Sequence, residues 1–163
     1  MLALVALLAI ACAADAADPT DLIERCPLTI PSQPSFVPPE PYPPEAPAIY
    51  KSVWYGTYRL WTMLDPDGGI WTGLPKTDGV FGEKTLWWSD NYSVASEPLT
   101  VTGRQLDGSA SFESEAGGSG TGGFRDGLGS FMLVGVEIPA AGCWELTAQY
   151  RDADLSYVVA VEG

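Results

Sequence analysis

The sequence contains no histidine among its 163 residues. Ser-His-Asp and Cys-His nucleophilic sites therefore cannot form, and neither can zinc or iron sites that use an imidazole ligand. Positive charge is also scarce, because 8 Lys and Arg oppose 21 Asp and Glu and leave a formal net charge of −13. Nucleic acids and anionic lipid headgroups both bind to a positive face, so they are not expected partners. We expect no metal and no cofactor.

Long apolar runs are absent except at residues 1–14, a stretch without charge. It is too short for a membrane-spanning helix, and it is typical of a secretory signal peptide, which we assign to residues 1–16. Cleavage before Cys12, in a sequence that resembles a bacterial lipobox, would leave a lipidated N-terminus. Cleavage near Ala17 would release a soluble chain. An uncleaved anchor is the remaining alternative. We expect the protein to lie outside the cytoplasm, in the bacterial envelope or secreted.

Cysteine is rare, with three residues in the chain. Once Cys12 is removed or lipidated, Cys26 and Cys143 remain in an oxidising compartment, and we predict a disulfide between them; two unrelated buried thiols are the alternative. A loop of this length gives about 4–5 kcal/mol in the chain-entropy model. Cys143 shares a face with Glu145 rather than with Trp144, so the bond should hold the N-terminal segment to the outer side of the last hairpin's sheet.

Proline is concentrated in one segment, since eight of the seventeen residues 31–47 are proline. Prolines lack the backbone N–H that helices and inner strands need, so this segment should be extended polyproline II. We call residues 17–48 the strap. They should form either a semi-rigid spacer or a segment laid over the domain.

Residues 49–163 read as short strands separated by turn residues, and no stretch keeps a helical period. Alternation over 144–150 and 155–161 predicts a hairpin with a turn at 151–154, preceded by a strand at 130–138 that is buried on both sides. Further strands are expected at 57–63, 84–89 and 99–106, with turns at 65–68 and 107–108 and a flexible glycine-rich loop at 117–129. We predict an all-β, immunoglobulin-like β-sandwich preceded by the extended proline-rich segment.

Without histidine, the catalytic groups that remain are carboxylates, Lys and Tyr. Asp65/Asp67, Glu113/Glu115 and Asp152/Asp154 have turn-like spacing, which favours turn and solubility roles; a weak calcium site at Asp65/Asp67 is the alternative. A glycosidase would need two carboxyls facing each other across a cleft. Residues 118–123 match G-x-G-x-x-G, but no helix pattern follows them, so they do not indicate a dinucleotide site.

Tryptophan and tyrosine are abundant, with six and seven residues. Exposed aromatic rings on a β-sheet can hold sugars. The candidates are Trp54, Tyr55, Trp61, Trp71, Trp87 and Trp88, and the possible ligand platform comprises Trp87, Trp88, Trp54 and Tyr55; Trp144 is assigned to the core. Aromatic side chains also fill small cores, which is the competing interpretation. Trp87 and Trp88 must face opposite sides of a strand, so one of them should be exposed or covered by the strap.

Several motifs occur in a characteristic order: residues 26–29 (CPLT), 53–56 (VWYG), 84–88 (KTLWW), 99–104 (LTVTGR), 129–135 (GSFMLVG) and 142–145 (GCWE). From Cys26 to its end the chain resembles a family of uncharacterised bacterial secreted or lipid-anchored proteins. The resemblance implies an immunoglobulin-like sandwich and an envelope location. It carries over no functional residues.

These observations predict a non-catalytic, monomeric binding or structural module of the bacterial envelope, whose partner is an envelope protein or a glycan. An exposed apolar patch of a few hundred Å² would favour a protein partner. A carbohydrate-binding module that uses exposed Trp or Tyr is one alternative. A carboxylate-dependent hydrolase, which requires a cleft with convergent acids, is the other.

Overall fold

The computed structural model describes residues 24–92, 98–115, 123–125 and 129–163. The predicted signal peptide, including Cys12, lies outside these residues. A short 3-10 helix (Ala48–Tyr50) precedes eleven strands. The strands are β1 Val53–Gly56, β2 Trp61–Leu64, β3 Gly69–Trp71, β4 Lys76–Thr77, β5 Val80–Trp88, β6 Thr100–Gln105, β7 Ser111–Glu115, β8 Gly123–Arg125, β9 Gly129–Ile138, β10 Gly142–Tyr150 and β11 Ala153–Val161. Within the described part of the chain, no helix has the length and hydropathy of a membrane span.

The strands form two sheets that enclose the main core. The first sheet has the order β1-β2-β5-β9-β8, with the short β4 paired to β5, and the second has the order β3-β11-β10-β6-β7. Neighbouring strands are antiparallel except β3 and β11, which run parallel. The prediction of an all-β sandwich is confirmed, and the immunoglobulin-like assignment stays a prediction.

The last hairpin forms as its alternation predicts. On β10, Trp144, Leu146, Ala148 and Tyr150 are buried, and β11 contributes its own buried row to the same core. The turn is shorter than expected, because the strands pair through Tyr150 and Ala153 and leave only Arg151 and Asp152 between them. Arg151 adopts φ 55°, a left-handed conformation that such a tight connection uses.

Two predicted strands differ from the structure. Residues 57–60 form the turn between β1 and β2, where the Thr57 N–H donates to the Leu60 carbonyl (2.9 Å), so the predicted strand 57–63 is wrong over its first half. β9 is buried on one face only: Met132 and Val134 face the core, whereas Gly135 and Glu137 are exposed. In the predicted loop 117–129, residues 123–125 form β8 and Gly129 begins β9; residues 117–122 and 126–128 lie outside the described residues.

The described part of the strap lies over the sandwich. It covers the outer face of the first sheet, where Phe36 and Tyr42 pack against Trp61, with ring centroids 6.1 and 5.1 Å away. It does not run as one polyproline II helix, because the Tyr42 N–H donates to the Pro39 carbonyl (3.1 Å) and closes a turn. The segment was expected to be either a semi-rigid spacer or a segment laid over the domain, and its described part is laid over the domain.

The predicted disulfide joins Cys26 and Cys143, whose Cα atoms are 5.5 Å apart. It packs with Ala160 on the outer face of the second sheet. Three residues later the strap reaches the edge of β11, where the Thr29 N–H donates to the Val158 carbonyl (3.1 Å) and Thr29 Oγ1 accepts from the Val158 N–H (2.8 Å). The described part of the strap thus starts on the second sheet and passes around the edge of the sandwich to the first.

An exposed ion pair between Arg59 and Asp152 connects the β1–β2 turn to the β10–β11 turn. The hydrogen bond from Arg59 holds the pKa of Asp152 below its usual range. The ion pair stabilises the folded state at neutral pH, and this stabilisation is lost as the pH falls through the lowered pKa of Asp152. We expect Arg59→Gln to raise the Asp152 pKa, measured by NMR titration of its carboxyl carbon. Arg104→Gln, which removes the separate pair with Glu145 (2.8 Å), is the control. An unchanged Asp152 midpoint in Arg59→Gln would contradict this assignment.

Candidate functional site

The predicted aromatic platform is not exposed. Trp54, Trp87 and Trp88 are exposed by 1%, 0% and 0%, and Tyr55 is half-buried, with its hydroxyl donating to the Ser156 carbonyl (3.0 Å). The platform prediction is corrected accordingly, and the competing interpretation of these rings as packing residues agrees with the structure. Burying a large aromatic surface is strongly favourable. The second sheet packs on the inner face of the first sheet and the strap packs on its outer face, so aromatic rings on both faces are buried.

Trp87 and Trp88 face opposite sides of β5. Trp87 points between the sheets, where its ring centroid lies 5.7 Å from that of Tyr157. Trp88 points outward and packs edge-on against Trp54 at 4.9 Å, beneath the strap. The Trp54 indole N–H donates to the Pro43 carbonyl (3.0 Å), which fixes the strap over this second cluster. The outward-facing tryptophan was expected to be either exposed or covered by the strap, and the structure shows that the strap covers Trp88.

A cleft opens in the first sheet where β2 and β5 separate. The two strands pair only through Trp61 with Trp88 and Thr62 with Trp87. The chain then turns at residues 65–68 and crosses to the second sheet as β3. The residues of β5 that immediately precede Trp87 therefore have no paired strand on this side. The resulting cleft has a volume of about 250 Å³. Its lining residues are Thr62, Met63, Leu64, Asp65, Gly69, Ile70, Trp71, Glu83, Lys84, Thr85, Leu86 and Tyr157.

Tyr157 contributes the most unusual group in this cleft. It belongs to the inward row of β11 and is only 2% exposed, yet its hydroxyl has no hydrogen-bond partner among the described residues. Burial raises the pKa of Tyr157 above its usual range, and the negative charge of Glu83 adds to this shift. The phenol therefore stays neutral and keeps a proton to donate. The hydroxyl is not one of the fully buried unpartnered atoms, so it opens onto the cleft and can donate to a group bound there.

Two buried polar side-chain atoms lack a partner among the described residues, Ser52 Oγ and Trp61 Nε1. Neither residue lines the cleft, and Trp61 lies under the strap. Tyr157 is therefore distinguished by its access to a cavity rather than by the missing bond alone.

Two carboxylates stand on the walls. Glu83 occupies the inward row of β5 between buried Phe81 and Thr85, a position where an apolar residue is expected. Its Oε1 accepts from the Lys84 backbone N–H (2.9 Å). Asp65 Oδ1 accepts from the Asp67 N–H (2.8 Å), which orients it within the turn. Each carboxylate thus has one oxygen held by the backbone, and the second oxygen is available to a ligand.

Trp71 supplies an aromatic wall. On β3 it is paired with Val161 of β11, so its half-buried ring turns towards the core side of the cleft. Gly69 is required beside it, because a Cβ there would lie 2.6 Å from Val159 Cγ1. The close approach of β3 to β11 places the indole over the opening. Ligand sites characteristically combine such apolar walls with a few polar groups.

The other predicted carboxylates do not join this site. Glu113 and Glu115 are exposed on β7, and Asp152 pairs with Arg59 in the hairpin turn. The described residues contain no group of three or more His, Cys, Asp or Glu side chains that could hold a metal ion.

The sequence analysis named Trp71 among the candidate aromatic residues, but it missed Glu83 and Tyr157 and did not predict that the three would come together. They come from three strands in two sheets, so no spacing along the chain relates them. One local signal was available, since a glutamate interrupts the inward row of Phe81, Thr85 and Trp87 on β5. An ionised residue in an inward-facing row indicates either the edge of a sheet or a functional site.

Comparisons with models of protein families, with curated proteins and with solved structures find no match to this chain.

Proposed function

We propose that the protein is a non-catalytic, extracytoplasmic binding module of the bacterial envelope and that the cleft between β2 and β5 is its ligand site. The observation that carries this proposal is the Tyr157 hydroxyl, which has no hydrogen-bond partner among the described residues and opens onto a cavity. A bound ligand that accepts from this hydroxyl would gain a hydrogen bond with a net value of about 0.5–1.5 kcal/mol. The disulfide supports the extracytoplasmic location, since such bonds persist in oxidising compartments.

The surface favours a small ligand over a protein partner. Five large apolar residues are exposed among those described: Ile30 and Val37 in the strap, Ile49 in the 3-10 helix, Tyr58 in the β1–β2 turn and Ile70 on β3. A protein-binding face would gather such residues into one patch of several hundred Å². The cleft instead offers a concave site with walls from both sheets.

Hydrolysis is a second candidate function, and one observation favours it. Asp65 and Glu83 line the same cleft, as a carboxylate-dependent hydrolase requires. Each carboxylate accepts a backbone N–H from a neighbouring residue, an arrangement that suits fixed acceptors in a binding site. Turnover of an aryl glycoside that is lost in both Asp65→Asn and Glu83→Gln would establish hydrolysis instead of simple binding.

Replacing Tyr157 by phenylalanine tests whether the cleft exists for function. Because the hydroxyl has no partner, we expect Tyr157→Phe to leave the free energy of unfolding unchanged or to raise it by up to about 1 kcal/mol. Urea unfolding followed by tryptophan fluorescence measures this change. Residues kept at a cost to stability are typical of functional sites.

Tyr55→Phe is the matched control, because it removes a phenol that donates to the Ser156 carbonyl (3.0 Å). It should lower the free energy of unfolding by about 0.5–1.5 kcal/mol, the usual net value of one hydrogen bond. If Tyr157→Phe loses as much as Tyr55→Phe, the Tyr157 hydroxyl has a structural partner and the proposal fails.

Ligand-observed NMR tests binding directly. The probes are glucose, N-acetylglucosamine, glycerol, D-alanine and choline, together with the tetrasaccharides described below. Binding of at least one probe to the wild-type protein, weakened in Tyr157→Phe, supports the module. Failure of all of them to bind, or binding that Tyr157→Phe leaves unchanged, would overturn it.

A further inference from the structure

We infer that the cleft receives the terminal sugar of a neutral glycan and that the following residues of the glycan lie in the adjoining groove on the outer face of the first sheet. This inference rests on the proposed function and names the ligand class and its direction.

The polar groups of the cleft suit a neutral ligand that both donates and accepts hydrogen bonds. Glu83 and Asp65 offer carboxylate oxygens and Tyr157 offers a donor, and none of these three takes part in an ion pair with the described residues. An anionic ligand would meet two carboxylates in a protein of net charge −13. A cation that extended into the adjoining groove would meet the ammonium of Lys84, which lies on the outward row of β5. Neighbouring sugar hydroxyls can satisfy both kinds of group at once.

The apolar groups suit a ring. Trp71 presents an indole at the opening, and Leu64 adds aliphatic surface on the same core side. A sugar ring carries polar hydroxyls at its rim and C–H groups on its faces, so one face can pack on the indole while the rim reaches the carboxylates.

The size of the cleft limits what enters it. Pockets for drug-sized ligands span about 300–1,000 Å³. The cleft, at about 250 Å³, lies below that range and suits one ring. A longer ligand must therefore continue outside.

A shallow groove begins where the cleft ends. It has a volume of about 500 Å³, it shares Glu83 and Lys84 with the cleft, and its remaining lining residues are Pro75, Gly82, Gly135, Val136 and Glu137. Lys84 pairs with Gly135 across β5 and β9, so the floor beside the lysine has no side chain. A Cβ built on Gly135 would meet no atom within 4 Å. The strap covers Trp88 at the other end of this face and leaves the glycine end open.

Glycine is not needed at position 135 for the fold. Gly135 has no positive φ, and the space above it is empty. Gly135→Gln should therefore fold normally and fill the groove without entering the cleft. This variant separates the two parts of the proposed site.

The test measures affinities for cellotetraose, chitotetraose, tetragalacturonate and the matching monosaccharides by calorimetry and ligand-observed NMR. We expect a neutral tetrasaccharide to bind more tightly than its monosaccharide, and the acidic tetramer not to bind. Tyr157→Phe and Glu83→Gln should each weaken the neutral ligand about tenfold, which corresponds to the loss of about 1.4 kcal/mol. Gly135→Gln should remove the advantage of the tetramer and leave the monosaccharide affinity unchanged.

Thr102→Gln, at an exposed strand position on the outer face of the second sheet, is the control and should bind like the wild type. If D-alanine or choline binds in a Tyr157-dependent manner and no neutral saccharide does, the glycan inference fails while the proposed function stands. If no probe binds, both fail. Equal affinities of Gly135→Gln and the wild type for the tetramer would overturn the assignment of the groove.

Discussion

Trp87→Ala is expected to lower the free energy of unfolding by about 3–5 kcal/mol, the range for removing a large aromatic side chain from a core. Trp87 is 0% exposed and packs between the sheets against Tyr157. Its indole N–H donates to Thr85 Oγ1 (2.9 Å), and that hydroxyl in turn donates to the Val134 carbonyl (3.3 Å). The substitution therefore leaves a cavity between two paired sheets and removes one bond from a buried polar pair.

Trp88→Ala is the matched comparison, because the adjacent ring is equally buried but lies under the strap. The strap is joined to this region by few hydrogen bonds, such as that from Trp54 Nε1 to the Pro43 carbonyl (3.0 Å). It can settle into the space that Trp88 leaves, so Trp88→Ala should cost less than Trp87→Ala. Urea unfolding monitored by far-UV circular dichroism measures both. A larger loss in Trp88→Ala would show that the strap cluster, rather than the space between the sheets, is the principal core.

Removing the disulfide with the double substitution Cys26→Ala and Cys143→Ala is expected to lower the free energy of unfolding by about 2–5 kcal/mol. The bond joins residues 117 apart in the sequence, so in the chain-entropy model it greatly restricts the unfolded chain. In the folded state it holds the beginning of the strap on the outer face of the second sheet, beside Ala160. Both cysteines are replaced so that no free thiol remains.

The loss is measured by urea unfolding of the double variant and of reduced wild-type protein. Equal losses in the two would assign the effect to the cross-link, because reduction keeps both sulfurs in place. Limited proteolysis reports on the strap, which should be cleaved faster in the double variant while residues 129–163 stay protected by their pairing in the two sheets. An unchanged urea midpoint in the double variant would contradict the stabilising role of the bond.

Strand predictions succeeded where one face of a strand is buried and the other is exposed to solvent. The rows on β10 and β11 alternate over residues 144–150 and 153–159, and the sequence placed both strands and the side on which Cys143 lies. The prediction failed at residues 57–60, where Leu60 is 0% exposed although it belongs to a turn. An apolar residue that a turn folds into the core carries no periodic signal.

A different failure affected β9 and the tryptophans. Phe131 is apolar and packs against Trp88 at 6.0 Å on the outer face of the first sheet, under the second cluster's cover. From sequence, a residue buried under a strap resembles one buried between sheets, since both are apolar. The sequence therefore identified the aromatic residues, but it could not distinguish those that pack between the sheets from those that pack beneath the strap.

The candidate site was outside the reach of the sequence. Asp65 was noted for its turn spacing, and that turn forms, but its position beside Glu83 depends on where β2 leaves β5. Trp71 and Tyr157 reach the same cleft only because β3 crosses to the second sheet and pairs with β11. Neither event has a local signature.

The sequence by itself determined the all-β class, the last hairpin, the pairing of Cys26 with Cys143 and the exclusion of imidazole chemistry, because period, composition and residue chemistry are local properties. The tertiary structure alone decided that the strap buries Trp54 and Trp88, that β2 and β5 separate, and that Tyr157 meets Glu83 in the cleft between them. Such contacts join residues far apart in the chain, and their geometry is set by how two sheets and a strap pack together rather than by any neighbouring residues.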